Sequence, residues 1–364
     1  MTTTHPSDNW PDRRILDLFG IDLPIIQAPM AGAHGAEMVI EVSKAGGLGS
    51  LPCALLSPDQ ARQAIDVIRQ ATDRPINLNF FCHTPSQIDP TQIESWRNKL
   101  MPYYQELGID TTAPVPVSNR APFDDTYCAI VETYKPKVVS FHFGLPSEPL
   151  LKRVKATGAK VIGSATTVAE ARWLEAHGVD AIIAMGAEAG GHQGNFLSDR
   201  MTGQIGVMAL VPQVVDAVSL PVIAAGGISD SRGIAAAFVL GAAAVQMGTA
   251  YLFTPEAKIQ GFHRAALKTA NAEDTAITNL FTGRPARSIT NRLMRDIGPL
   301  SPLAPNFPLA GGALMPLRAK SEPAGSSDFS NMWSGQAARL AREMPAGALT
   351  RILADEALSR LNRG

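Results

Sequence analysis

The sequence predicts an α/β fold: a (β/α)8 TIM barrel with a smaller, mainly helical second domain. Three observations carry that expectation. Short apolar runs without polar alternation recur through roughly the first 250 residues, as parallel strands buried on both faces require. Helix-length amphipathic segments separate those runs. The alternation counts to about eight units, the number that closes a barrel.

The elements follow in order. Pro24–Ala28 reads as the first strand. A helix over Ala36–Lys44 comes next, with Ala45-Gly46-Gly47 as its stop signal. Leu48–Leu51 is the second apolar run. Ser57-Pro58 opens another helix, proline standing where a missing N–H costs nothing. Ile76–Phe81 is the third strand. Residues 84–124 break the rhythm with a helix near Ile93–Glu106 and the Pro-rich APVPV, and they read as an insertion. The alternation then resumes, with strands over Val138–Phe141, Val161–Gly163, Ala181–Ala184, Pro221–Ala225 and Ala244–Met247. Helices are expected between them, over Glu148–Thr157, Val168–His177, Met208–Val218 and Ser231–Leu240, with a Gly-rich loop at 186–206. An open doubly wound sheet is the competing architecture. Its dinucleotide version lacks the G-x-G-x-x-G that should follow a first strand.

Beyond Phe253 the pattern changes. A helix is expected over Glu256–Lys268, residues 281–330 are dense in Pro and Gly, and helix-like stretches recur near Gly335–Arg342 and Leu349–Leu361. The domains are therefore drawn as a barrel over 14–254, interrupted near 84–124, and an extension over 255–364 packed upon it.

Composition narrows the function classes. The 364 residues hold 32 Lys+Arg and 33 Asp+Glu, a net charge of −1. Such a balance gives no broad electrostatic footprint for nucleic acid or an anionic membrane. With 45% hydrophobic and 18% charged residues, the chain is not disordered. Cys53, Cys82 and Cys128 are widely spaced with no C-x-x-C, so neither a disulfide framework nor a metal site is expected. The opening MTTTHPSDNW lacks the apolar core of a secretory signal. Gly233–Val245, the longest uncharged apolar run, is too short to span a membrane. A cytoplasmic protein is expected.

A parallel barrel places its chemistry at the C-terminal ends of the strands. Those positions hold Ala28-Pro29-Met30, Asn79, His142, Met185, Gly190-Gly191-His192, Gly226-Gly227 and Gly248-Thr249. Glycine pairs after the last two strands let backbone N–H groups approach a phosphate, and the helix that follows would add its positive dipole end. FMN is the economical ligand for one phosphate site; a sugar-phosphate enzyme is the rival. Pro29-Met30 offers an apolar wall to a flat ring, and Asn79 an amide for its pyrimidine edge. His192 is the candidate acid/base group, because imidazole titrates near neutrality. His142 directly follows a strand and is the second candidate, with a packing role as the competing reading. Glu188 is expected to hold loop backbone, with an acid role in the same loop as the alternative, and Arg284 and Arg287 either to pair with carboxylates at the barrel mouth or to play a solvated or structural part. The remaining histidines are read as surface or structural, and the cysteines as packing.

The runs IQAPMAG (26–32), NLNFF (77–81), VVSFHFG (138–144), AMGAEAGGHQG (184–194), AAGGI (224–228), QMGTAYL (246–252) and FTGRPARSI (281–289) together resemble the nitronate monooxygenases, formerly 2-nitropropane dioxygenases. DFSNMWSGQAARLAREMPAG (328–347) extends the likeness, which looks most like the bacterial class I group. The resemblance implies non-covalent FMN and oxidation of alkyl nitronates, such as propionate 3-nitronate, by O2 to a carbonyl compound and nitrite through a flavin semiquinone. It assigns flavin contacts to Asn79, Gly190, Gly227, Gln246, Gly248 and Thr249, and the base or anion-holding role to His192. Two positions depart from the family pattern. Met185 stands where glutamine is usual, and His34, which would face the substrate site or lie at the surface, where a small residue is commoner. The expected partners are a nitronate or nitroalkane and O2. An NAD(P)H-dependent FMN reductase of the quinone or enoyl-thioester type, and a flavin-binding protein without turnover, are the alternatives.

Overall fold

A computed structural model describes residues 9–116, 120–198 and 203–362. Its strands are β1 (Ile25–Gln27), β2 (Gly49–Pro52), β3 (Ile76–Phe81), β4 (Val138–His142), β5 (Lys160–Ala165), β6 (Ala181–Met185), β7 (Gly191–His192), β8 (Val222–Ala225), β9 (Ala244–Met247), β10 (Thr275–Thr278) and β11 (Ala286–Ile289). Eight of them form one sheet in the order β1-β9-β8-β6-β5-β4-β3-β2. Every pairing in it is parallel. A parallel bridge between Ile26 and Leu48 joins the two end strands and closes the barrel. The strands are buried throughout β1, β2 and β8, which explains why their sequences carry no polar alternation.

Local signals account for the helices between them. Ser57 caps Pro58–Ala71: its hydroxyl accepts from the Gln60 N–H, and the Gln60 side chain accepts from the Ser57 N–H. Ala61, Ile65 and Ile68 recur at helical spacing and are the buried face of that helix. The helix Ala36–Lys44 lies so close to β2 that a Cβ on Gly49 would sit 2.4 Å from the Val39 carbonyl oxygen. Gly49→Ala is therefore expected to destabilise the fold by about 2–3 kcal/mol through overpacking. Urea unfolding would measure it, and an unchanged midpoint would show that helix and strand separate freely.

The structure adds elements that periodicity does not announce. Asp125–Tyr134 is a helix, started by Asp124, whose carboxylate accepts from the Thr126 and Tyr127 N–H groups. It supplies the outer layer between β3 and β4. The helix expected from Glu256 begins instead at Gly261. Residues before it are spent on tertiary bonds: the Lys258 N–H donates to Ala33 at 2.6 Å, and the Glu256 carboxylate accepts from the Ala346 N–H. Only a 3-10 turn, Ala338–Leu340, forms near the helix expected at Gly335–Arg342. There the Gly335 N–H donates to Thr249 Oγ1 at 2.9 Å and the Gln336 N–H to the Glu188 carbonyl at 3.0 Å.

Two hydrophobic clusters lie outside the main barrel core. In one, Trp96, Leu100, Tyr103 and Tyr104 from the excursion pack with Leu280, Phe281, Leu314, Leu317 and Phe329. Trp96 Nε1 donates to the Ala310 carbonyl and the Tyr104 hydroxyl to that of Ala313. The other includes Leu252, Leu267, Ile289 and Met332. β10, β11 and β7 form a small antiparallel sheet, so the outlying structure is not helical alone. The closing helix Ala346–Leu361 returns to the barrel and packs on the helices Ala36–Lys44 and Ser231–Val239. Among the described residues, no helix is long and apolar enough to cross a membrane.

Candidate active site

A cavity of about 410 Å³ opens at the C-terminal ends of the barrel strands. It is lined by all the residues that the sequence places at the catalytic or flavin-contacting positions: Ala28, Pro29, Met30, Asn79, His142, Met185, Gly190, Gly191, His192, Gly226, Gly227, Gln246, Gly248 and Thr249. Arg120, Lys258 and Arg318 line it too, and among the described residues no Asp or Glu does. Among the described residues no carboxylate lies within ion-pair distance of the Arg120 guanidinium, whereas Lys258 pairs with Glu37 at 2.7 Å and Arg318 with Glu322 at 2.8 Å. The cavity therefore favours an anionic ligand.

The loop after β8 is shaped for close backbone approach. Gly226 and Gly227 have φ of +100° and +69°, and a Cβ on Gly226 would meet the Gly186 carbonyl at 2.9 Å. The first turn of the helix that follows is already capped by a side chain. Asp230 caps it, accepting from Arg232 and Gly233 N–H groups at 2.9 and 3.2 Å. A phosphate there would meet loop amides rather than the first turn of that helix. Gln246 presents a buried Oε1 with no hydrogen-bond partner among the described residues. Asn79 Nδ2 donates to Ser140 Oγ at 3.0 Å and to the Ser140 carbonyl at 3.3 Å, which leaves Oδ1 to accept from a ligand. Met185, at the end of β6, offers a thioether and so an apolar contact.

His142 and His192 come together, although 50 positions separate them. His142 Nε2 donates to the His192 carbonyl at 3.3 Å, so its Nδ1 accepts from the Ser164 hydroxyl at 2.7 Å. Burial, aided by the Arg284 cation, lowers the His142 imidazole to about 4. With both nitrogens committed, His142 supports the loop beneath His192. His192 sits on β7, which pairs with β11. Phe81, Phe143, Phe307 and Trp333 surround its ring, with centroids 5.4–6.1 Å away. Its Nε2 lies 2.9 Å from Thr282 Oγ1. Burial in this aromatic box, then the nearby Arg120, His142 and Arg284, hold the imidazole well below its ordinary value. It is neutral at pH 7 and can accept a proton.

Supporting groups fix the walls. Glu188 holds the loop after β6 as expected, its carboxylate accepting from the Val207 N–H at 2.9 Å. Buried Glu170 accepts from Thr166, Phe196 and Leu197 N–H groups and ties down the chain beyond His192. His34 neither faces the cavity nor lies at the surface. It is buried beneath the β1 loop, where Nε2 accepts from the Met30 N–H at 3.2 Å and contacts the Gln27 amide at 3.0 Å. Arg287 bonds the Ala187 carbonyl and Thr275 Oγ1, and the Arg284 guanidinium lies 4.1 Å from the Phe143 ring centre while bonding the Asn195 carbonyl. His263 lines the cavity and bonds the Trp333 carbonyl; buried His83 bonds that of Arg120. His177 stacks on Trp173 away from the site, and His5 lies outside the described residues. Burial pushes the Cys53 and Cys82 thiols upward, consistent with packing rather than nucleophilic roles.

The neutral histidines, buried or half-buried, make stability pH-dependent. His34, His142 and His263 are each lowered to about 4, chiefly by burial. Above about pH 6.5 neither the folded nor the unfolded chain protonates them. Below it only the unfolded chain gains protons, so stability falls as pH drops toward 4. Each ring is expected to remove up to about 2 kcal/mol by pH 5. Urea midpoints that stay constant between about pH 7 and 5 would contradict this account.

Sequence reasoning missed Arg120, Thr282, Phe307, Arg318 and Trp333. They come from the excursion and the C-terminal segment, whose approach to the barrel mouth leaves no periodic signal. Thr282 and Trp333 did stand within the runs that carried the family resemblance.

The fold and site define a closed (β/α)8 barrel whose strand ends bear a cavity lined by cations and a neutral histidine, with no carboxylate among the described lining residues. Comparison with known proteins specifies it. The family model described as nitronate monooxygenase matches residues 12–356. A nitronate monooxygenase of Pseudomonas aeruginosa is 42% identical over 347 residues, covering 94% of this chain and 98% of that one. The solved nitroalkane oxidase from Streptomyces ansochromogenes superposes with a TM-score of 0.86 at 37% identity, covering 96% of this chain and 100% of that one. FabK from Thermotoga maritima gives a TM-score of 0.70 at 29% identity, covering 96% and 97%. The chain belongs to the nitronate monooxygenase family and is an oxidoreductase.

Proposed function

We propose that the protein binds FMN at the barrel mouth and oxidises alkyl nitronates with O2, releasing a carbonyl compound and nitrite. The observation that carries the reading is a cavity without acidic lining among the described residues, in which a half-buried neutral His192 stands near the cations Arg120 and Arg284. A nitronate is a small anion; such a field attracts it, and the aromatic box keeps water from its reacting carbon.

The residues present fit FMN. Loop amides at Gly226-Gly227 and Gly248, with the Thr249 hydroxyl, would hold its phosphate. Gln246 Oε1 and Asn79 Oδ1 are acceptors suited to the N–H edge of a flavin ring, and Gln246 Oε1 lacks a protein partner among the described residues. Ala28, Pro29, Met30 and Met185 would form the apolar wall, with Gly190 and Gly191 admitting the ring's approach. The chemistry FMN supplies when bound is electron transfer from the nitronate to O2. His192 would orient the anion or, with a neutral nitroalkane, take its α-proton first. Arg120 and Arg318 would hold a remote carboxylate such as that of propionate 3-nitronate.

The same reading makes a barrel the cofactor-binding domain, with the 84–124 excursion and the segment after residue 254 building the substrate side. Three unpaired cysteines suit a cytoplasmic location. The test is one spectrum and two anaerobic titrations. Purified protein should be yellow, propionate 3-nitronate should bleach it, and air should then yield nitrite. Bleaching by NADH with no response to nitronate would favour the reductase alternative. Colour without reduction by either donor would favour a flavin-binding protein.

A further inference from the structure

Thr282 lies on the turn between β10 and β11 and is buried. Its hydroxyl has three polar neighbours. His192 Nε2 is 2.9 Å away, the Arg284 carbonyl 3.3 Å, and the Arg284 N–H donates to it at 3.4 Å. A hydroxyl carries one proton. Sent to the Arg284 carbonyl, that proton leaves the oxygen to accept from His192, so the imidazole carries its hydrogen on Nε2. Nδ1 then keeps its lone pair, and the described residues give it no partner while the ring lines the cavity. The pairing of Ala286 with His192 and of Arg287 with Gly191 fixes the two backbones, so the ring and the hydroxyl meet without adjustable segments.

From this geometry we propose that Thr282 is a positioning residue that sets the His192 tautomer, with hydrogen on Nε2, and so leaves Nδ1 to act as base toward a neutral nitroalkane. In that step the α-C–H bond breaks and an Nδ1–H bond forms. The electron pair stays on the substrate and delocalises into the nitro group, giving the nitronate beside an imidazolium. A substrate that arrives as the nitronate needs no such step. The proposal rests on the nitronate-oxidising function and adds a residue that divides the two substrate forms.

The test uses full-length holoenzyme labelled with 15N at histidine, together with Thr282→Val and Thr282→Ser. In the wild type, His192 should show one neutral tautomer with the proton on Nε2. Thr282→Val should mix the tautomers and lower kcat/KM for a neutral nitroalkane by about tenfold or more, with nitronate turnover kept within about threefold. Thr282→Ser should restore both the spectrum and the rate. A wild-type proton on Nδ1 would overturn the proposal, as would equal losses on both substrates in Thr282→Val. Nitronate turnover with no nitroalkane turnover in the wild type would overturn it too. Absence of nitronate oxidation altogether would instead strike the function on which the proposal rests.

Discussion

His192→Asn is expected to lower kcat/KM for a neutral nitroalkane by about 10²–10⁴-fold, the range for loss of a general base. Nitronate oxidation should fall far less, by about tenfold at most, because an amide still offers a polar group to the anion. The asymmetry follows from the ring's surroundings. Four aromatic side chains and the neighbouring cations keep His192 neutral, so what it would bring to the proposed reaction is a lone pair rather than a charge. A bulk anion-holding role would make both substrates suffer alike. Steady-state kinetics with one compound, pre-ionised and freshly dissolved in its neutral form, reads the difference directly. Equal retention of both rates would remove His192 from the mechanism.

Gly226→Ala should produce a folded protein that binds FMN at least about 10²-fold more weakly, equivalent to about 2.7 kcal/mol. Its φ of +100° is a conformation that alanine adopts only with strain, and the added Cβ would stand 2.9 Å from the Gly186 carbonyl. The loop must shift to relieve both, and its amides would no longer converge on a phosphate. Flavin absorbance per polypeptide after dialysis, with added FMN as a rescue, gives the measurement. Full flavin occupancy in the variant would mean that the phosphate is held elsewhere, such as at Gly248-Thr249.

The barrel was legible because its interior leaves the simplest trace a sequence can carry. A strand such as Ala181–Met185 or Val222–Ala225 is packed on both faces, and its sequence is continuously apolar. The helix after Ser57 was legible because its capping box and proline are local chemistry within four residues. The helix Asp125–Tyr134 shows the limit of such reading. Its Asp124 cap was present in the sequence, but it lay at the edge of a Pro-rich excursion that masked the rhythm.

At the site, residue types and strand ends together marked His142, His192, Asn79 and the glycine pairs, because closing a parallel barrel brings all strand ends to one face, and the family resemblance added Gln246. The sequence by itself thus determined the barrel, the face that carries the cavity and most of its lining. Only the tertiary structure decided what those residues can do. It made His142 a support and His192 a neutral ring with Nε2 against Thr282. It placed His34 beneath a loop and assigned the helix cap to Asp230 instead of a ligand. It also brought Arg120, Thr282, Arg318 and Trp333 to the mouth from distant segments. The reason is physical: apolar burial is written in the order of residues along an element, whereas protonation state, tautomer and field depend on neighbours that meet only after the chain has folded.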